Sequence, residues 1–175
     1  MSIASTDLFS LGLDEHDRLN KELGGGIPPG SIILVEGDYG AGKSAMSQRF
    51  TYGLCEEGHE VTYLSTELTV GSFLDQMHSL SYGMVDHMLD ENVLFLHADI
   101  GDSNTFSGSD EEEDRKELLR RRMDAKVMWA GDVIVLDTFD AILRNDAEFM
   151  ALFRQSNDRV AHVVVLSLFM HIISW

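Results

Sequence analysis

The sequence predicts an α/β fold, a mainly parallel sheet flanked by helices, and three observations carry that expectation. Short apolar runs alternate with stretches in which apolar residues recur every three to four positions, the pattern of strands alternating with amphipathic helices. The first run, Ile32-Ile33-Leu34-Val35, leads into Gly37-Asp38-Tyr39-Gly40-Ala41-Gly42-Lys43-Ser44, the complete spacing G-x-x-x-x-G-K-S in a strand, loop, helix context. A later run, Val133-Ile134-Val135-Leu136, ends in Asp137 and sets a carboxylate at the end of a buried strand.

A length of 175 residues suits one domain with a sheet of five or six strands, so the chain is read as a single unit, 1–175, with an entry segment over 1–31. Within that segment Leu8, Leu11 and Leu13 are apolar, 14–23 reads as a short helix, and Gly24-Gly25-Gly26-Ile27-Pro28-Pro29-Gly30 punctuates the approach to the first strand. That strand, 31–36, is expected to be apolar on both faces, as in a parallel sheet covered by helices. A helix over 43–57 follows, with Met46, Phe50 and Leu54 on one side and positions 49 and 53 on the other, and Gly58 stops it.

Residues 61–65 form the expected second strand and 70–80 a helix with Phe73, Met77 and Leu80 as its stripe; 93–96 is the third strand. Over 99–114 the composition turns to Gly, Ser and Asp and closes on Asp110-Glu111-Glu112-Glu113-Asp114, which reads as a solvated acidic insertion. The acids stand at the positive end of a helix expected to reach about position 128, with Leu119, Met123 and Val127 buried, and Arg120-Arg121-Arg122 read as surface partners of those acids. A fourth strand at 132–137, a helix at 148–155 and a fifth strand at 162–166 complete the series.

Thirty acidic against thirteen basic residues give a formal net charge of -17. Such a field repels nucleic acid and anionic membrane, and acids scattered along the whole chain also fit a salt-rich cytoplasm that screens self-repulsion. Cys55, the single cysteine, excludes an internal disulfide and a cysteine metal cluster, and it is expected to pack inward on the helix after the glycine-rich loop. The opening residues lack the basic start and apolar run of a secretion signal. The apolar close at 163–175 is interrupted by Ser167, His171 and Ser174 and falls short of the about 20 residues that span a bilayer. A cytoplasmic location is expected, with membrane contact only through partner proteins.

The glycine-rich loop is the first candidate site. Glycines at 37, 40 and 42 let successive backbone N–H groups turn toward an anion, and the amides around Lys43, Ser44 and Ala45 join them at the helix start. Lys43 is then a point charge near β and γ phosphates, and Ser44 offers a hydroxyl to Mg²⁺. Asp38 and Tyr39 fill variable positions of the loop, and the sequence leaves open whether Tyr39 covers a nucleotide.

Ligands of open α/β sheets bind beyond the C-terminal ends of the strands, where Asp137 would orient Mg²⁺ through its water shell opposite Ser44; the alternative is a helix cap or turn acid. Glu67, just past the second strand, is placed to orient water for in-line attack, or else serves as a cap or salt-bridge acid. Asp140 falls in the loop after Asp137. Asn20-Lys21-Glu22-Leu23 is a poor guanine reader because it precedes the loop, which leaves adenine, and so ATP, as the default. His59, His78, His87 and His162 lack metal-ligand spacing.

The stretch Leu23-Gly24-Gly25-Gly26-Ile27-Pro28-Pro29-Gly30-Ser31 running into the loop, with Val61-Thr62-Tyr63-Leu64-Ser65-Thr66-Glu67-Leu68, resembles the FlaH family, KaiC-like accessory proteins of the archaeal flagellum (archaellum) motor. The resemblance covers roughly 8–166 and implies a RecA-like P-loop NTPase fold, with Lys43 and Ser44, Glu67 and Asp137 matching the wider superfamily's functional positions. It implies ATP and Mg²⁺ as ligands, assembly with the motor ATPase and the membrane platform protein, an oligomeric ring and a halophilic character. Leu68 follows Glu67 where circadian KaiC proteins carry a second acid, which implies weak or absent hydrolysis. Family members continue past the fifth strand with a His-Pro loop, further strands and a helix; here the sequence runs Ser167-Leu168-Phe169-Met170-His171-Ile172-Ile173-Ser174-Trp175, so the C-terminal part is expected to be incomplete. A KaiC/RecA-type ATPase in signalling or DNA metabolism is the alternative, though no basic, aromatic strand-binding groove is legible. A small-molecule kinase is weaker still, for want of an acceptor pocket or lid.

Overall fold

The computed structural model describes residues 8–98, 126–138 and 163–169. Five strands are present among them: β1 (Ile32–Gly37), β2 (Val61–Ser65), β3 (Val93–His97), β4 (Val133–Asp137) and β5 (Val163–Phe169). They form one sheet in the order β1-β5-β4-β2-β3, and every pairing is parallel. The helices are α1 (Leu19–Glu22), α2 (Lys43–Glu56), α3 (Val70–Ser79) and α4 (Met84–Leu89), with a 3-10 turn at Lys126–Trp129.

This order makes β4 the middle strand. All five residues of β4 and all five of β2 are buried, so neither strand has a solvent-facing side; β4 reads as an apolar run up to Asp137, and β2 buries the polar Thr62 and Ser65 as well. The core cluster joins Phe50 and Leu54 of α2 to Val61 and Tyr63 of β2, Val133 and Val135 of β4, Phe73 and Met77 of α3 and Met84 of α4.

β1 departs from the expectation of two apolar faces. Ile33 and Val35 pack against the core, whereas Ile32 and Leu34 are 40% and 47% exposed. The reason lies in its place in the sheet: among the described residues β1 pairs only with β5, and the core covers only the face bearing Ile33 and Val35. β5 also runs further than 162–166, since its pairing with β1 continues to Gly37 opposite Phe169.

α2 buries a broader and more polar face than its apolar stripe suggested. Met46 is exposed, and Ser47, Gln48, Arg49, Phe50, Thr51, Gly53, Leu54 and Cys55 are buried. Buried polar groups require partners. Arg49 donates to the carbonyls of Leu11 at 2.8 Å and Gly12 at 2.9 Å and forks onto both carboxylate oxygens of Asp17. That hydrogen bond is the main reason the Asp17 carboxyl lies below its ordinary range, partly opposed by burial.

Arg49 thereby draws the entry segment onto α2. Asn20 closes it from the other side, accepting from the Leu11 amide at 3.1 Å and donating to Asp14 at 3.3 Å. The helix expected over 14–23 shrinks to Leu19–Glu22 for the same reason: Asp17 takes up the Leu19 amide at 2.9 Å and Asn20 bonds outward, local side-chain bonds that compete with helix. An antiparallel bridge between Phe9 and Ile27 ties the ends of the segment together.

α3 starts on a Thr69 cap, whose hydroxyl accepts from the Ser72 amide, and buries Phe73 and Met77. Leu80 is its C-cap and is 37% exposed, not a third stripe residue. α4 was not anticipated. Val127, expected in a buried stripe, is 53% exposed in a 3-10 turn that buries Met128 instead. The insertion at 99–114, Leu119, Met123, the arginine triplet, Asp140, the helix at 148–155 and His162 lie outside the described residues. Among the described residues no helix is long and apolar enough to cross a membrane.

Two measurements check this packing. A Cβ on Gly53 would stand 1.9 Å from the Leu11 carbonyl oxygen and 2.3 Å from Arg49 Nη1, so Gly53→Ala has to push the entry segment off α2. Urea unfolding should show a loss of about 1–3 kcal/mol, the ordinary cost of overpacking; an unshifted midpoint would mean the segment does not sit there. Burial, then the Glu56 charge, pushes the Cys55 thiol up to about 12. A maleimide or disulfide reagent at pH 8 therefore meets a protonated, enclosed thiol, and labelling should be slow in the native protein and prompt in denaturant.

Candidate functional site

The loop between β1 and α2 bends back on itself before the helix begins. Gly42, the N-cap of α2, has φ 86°, a conformation that a side chain bearing Cβ adopts only with strain. A Cβ on Gly37 would meet that of Ala41 at 3.1 Å, so the start of the loop is tight. Among the described residues no side chain caps the helix amides at Gly42. Lys43 lies back across the loop, donating from Nζ to the Asp38 carbonyl at 2.9 Å, and Tyr39 is 89% exposed at its rim.

α2 leaves the C-terminal end of β1 and packs across β5 and β4. Two strand spacings, about 10 Å, separate β1 from β4, and the helix bridges them. As a result Ser44, in the first turn, donates from Oγ to Asp137 Oδ1 at 3.0 Å although 93 positions separate the two in the chain. Asp137 is fully buried at the end of the middle strand.

Its second oxygen is also occupied. Tyr63, buried in β2, donates its hydroxyl to Asp137 Oδ2 at 2.9 Å. The register pairs Tyr63 with Val135 and Ser65 with Asp137, and side chains two apart share a face, so the tyrosine reaches along the sheet to the carboxylate. Burial, then the Asp137 charge and hydrogen bond, raise the Tyr63 hydroxyl well above 10, with Gln48 acting the other way. The hydroxyl keeps its proton as a donor.

Glu67 sits in the turn after β2, exposed at the same edge of the sheet. Ser65 holds that turn by accepting from the amides of Glu67 at 3.3 Å and Leu68 at 3.0 Å. Thr66 ties it to β4: its amide donates to the Asp137 carbonyl at 3.4 Å and its hydroxyl to the Thr138 carbonyl. Thr138 has φ 62°, a costly conformation for a β-branched residue.

Lys43, Ser44, Asp137 and Glu67 thus gather at the C-terminal edge of one sheet, while Asp140 falls outside the described residues. Tyr63, Thr66 and Thr138 were missed by sequence reasoning. For Tyr63 a signal existed: it is a tyrosine inside a buried strand, two positions before the strand's end and on the face of the motif acid. Two of the histidines have other partners: His59 packs on Phe9 with centroids 4.6 Å apart, near Asp132, and His87 meets Glu56 at 2.8 Å.

Two oxygen donors 3.0 Å apart, one hydroxyl and one carboxylate, suit a hard cation that brings its own waters and phosphate oxygens. No group of three or more His, Cys, Asp or Glu capable of caging a metal occurs among the described residues. The donor set therefore fits magnesium carried with a nucleotide.

A parallel sheet with a glycine-rich phosphate loop at one strand and a buried acid ending the middle one defines a P-loop protein of the KaiC/RecA-like fold. The chain belongs to the KaiC ATPase family, whose model matches residues 11–171. It is 34% identical over 163 residues to the archaeal flagellar ATP-binding protein FlaH of Methanocaldococcus jannaschii, covering 89% of this chain and 64% of the relative. The protein of that name in Methanococcus voltae is 30% identical over 133 residues, covering 76% of this chain and 55% of the relative. The crystal structure of flagellar accessory protein FlaH from M. jannaschii superposes with a TM-score of 0.76 at 29% identity, covering 93% of this chain and 71% of that one. The chain thus spans less than two thirds of the length of these two sequence relatives.

Proposed function

We propose that this chain binds ATP with Mg²⁺ in the loop from Gly37 to Ala45 and acts as an accessory, nucleotide-dependent assembly component of the archaellum motor. The observation that supports ATP·Mg²⁺ binding is the Ser44 to Asp137 pair, a ready oxygen site at the mouth of the loop. The similarity to FlaH proteins supports the motor context.

In this reading the loop amides and Lys43 hold the β and γ phosphates, with Lys43 leaving the Asp38 carbonyl to do so. Ser44 and Asp137 hold magnesium, which when bound spreads the phosphate charge. Glu67 orients water, and its exposed position with Leu68 beside it fits weak or absent turnover. ATP then acts by favouring one assembly state through differential binding, rather than by repeated hydrolysis. The partners are the motor ATPase and the membrane platform protein, with an oligomeric ring of this chain among the assembly states, and the location is cytoplasmic, at the membrane through those partners.

Light-scattering mass measurement of this chain with full-length motor ATPase should give a larger particle with Mg-ATP than without nucleotide. Equal masses in both conditions, with the ATPase itself competent, reject the assembly role. Where hydrolysis above background is measurable, Glu67→Gln should lower its rate by about 10²-fold or more, the usual worth of a positioned base. An unchanged rate removes Glu67 from that step.

A further inference from the structure

We propose that Tyr63 is the positioning residue that aims Asp137 at the divalent ion. The proposal rests on the reading of the loop as a Mg-nucleotide site and assigns a role in it to a side chain outside the glycine-rich loop and outside the acid positions.

A carboxylate at the end of a strand can turn about its last bond and exchange its two oxygens. Here each has a separate donor, Ser44 on Oδ1 and Tyr63 on Oδ2, so turning breaks both bonds at once. Oδ1 is the oxygen met by Ser44, in the helix turn that directly follows the loop. When Ser44 turns its hydroxyl toward a cation, the Tyr63 bond stays on Oδ2 and still holds the carboxylate plane.

The donor itself is stiffly mounted. The Tyr63 ring lies 4.8 Å from Phe73 of α3 and 5.8 Å from Phe95 of β3, and those two rings are 4.7 Å apart. Three elements therefore fix where the hydroxyl points. Tyr63 and Asp137 are both 0% exposed, so losing the hydroxyl would remove a buried hydrogen bond from Oδ2 in a closed site. Hydrogen bonds of this kind to metal-holding carboxylates set ligand orientation and metal affinity.

The test is a titration of a fluorescent ATP analogue into wild type, Tyr63→Phe and Asp137→Asn, with Mg²⁺ and with EDTA, plus a Mg²⁺ titration at fixed nucleotide. In Tyr63→Phe the half-saturating Mg²⁺ concentration should rise about tenfold or more, while nucleotide affinity in EDTA stays at the wild-type value. Asp137→Asn should lose the magnesium effect, and Tyr63→Phe added to it should change nothing further, because Tyr63 acts through Asp137.

An unchanged magnesium requirement in Tyr63→Phe overturns the proposal. So does an equal loss of affinity with and without magnesium, which marks a purely structural role. 4-Aminophenylalanine at position 63 keeps the ring and an N–H donor and decides the matter if Tyr63→Phe does not fold: a wild-type requirement supports donation, and a raised one rejects it. Failure of the underlying reading looks different, because wild type itself would then bind no nucleotide or show no magnesium effect.

Discussion

A carboxylate buried in the middle of a sheet is tolerated only when its oxygens are met by donors, and Asp137 is such a group. Much of the architecture follows from meeting that requirement. β4 has to lie beside β2 so that Tyr63 reaches one oxygen, and α2 has to cross from β1 over β5 so that Ser44 reaches the other. The strand order β1-β5-β4-β2-β3 satisfies both conditions. A sheet with β4 directly beside β1 would also bring Ser44 close, but it would break the β5 pairings on which β1 depends.

The orientation of α2 is also set near its middle by Arg49. A buried guanidinium without partners would be expensive, and the entry segment supplies them as two carbonyls and a carboxylate. Gly53 allows the segment to lie flat against the helix one turn on. The residues before β1 therefore belong to the scaffold of the phosphate loop: they grip the helix whose first turn holds Lys43 and Ser44. This places a buried polar network about two turns from the loop, on the same helix.

Legibility in the sequence follows how local the information is. The loop, the second strand and Asp137 were readable because spacing, apolar runs and the terminal acid lie within a few residues of each other. Met46, Leu80 and Val127 were misplaced because an apolar periodicity does not say which arc of a helix the rest of the fold will cover; on α2 the covered arc holds Gln48, Arg49 and Thr51. The shortened α1 shows the same thing from the polar side, since Asp17 and Asn20 are spent on Arg49 and Leu11 rather than on helix. Tyr63 looked like one more strand aromatic, because its partner stands 74 positions away.

The two acids of the site share a mechanical connection that neither motif shows by itself. Thr66 bonds the carbonyls of Asp137 and Thr138, and Ser65 holds the turn that carries Glu67. Thr138 sustains its unfavourable φ next to those bonds, and such a conformation lasts only where the surroundings over-determine it. The exits of β2 and β4 are thus one hydrogen-bonded body, whose members are the buried acid opposite Ser44 and the exposed acid at the open edge. The distance between those acids is set by backbone bonds and paired strands, whereas the aim of the Asp137 carboxylate is held by side chains, Ser44 and Tyr63 among them.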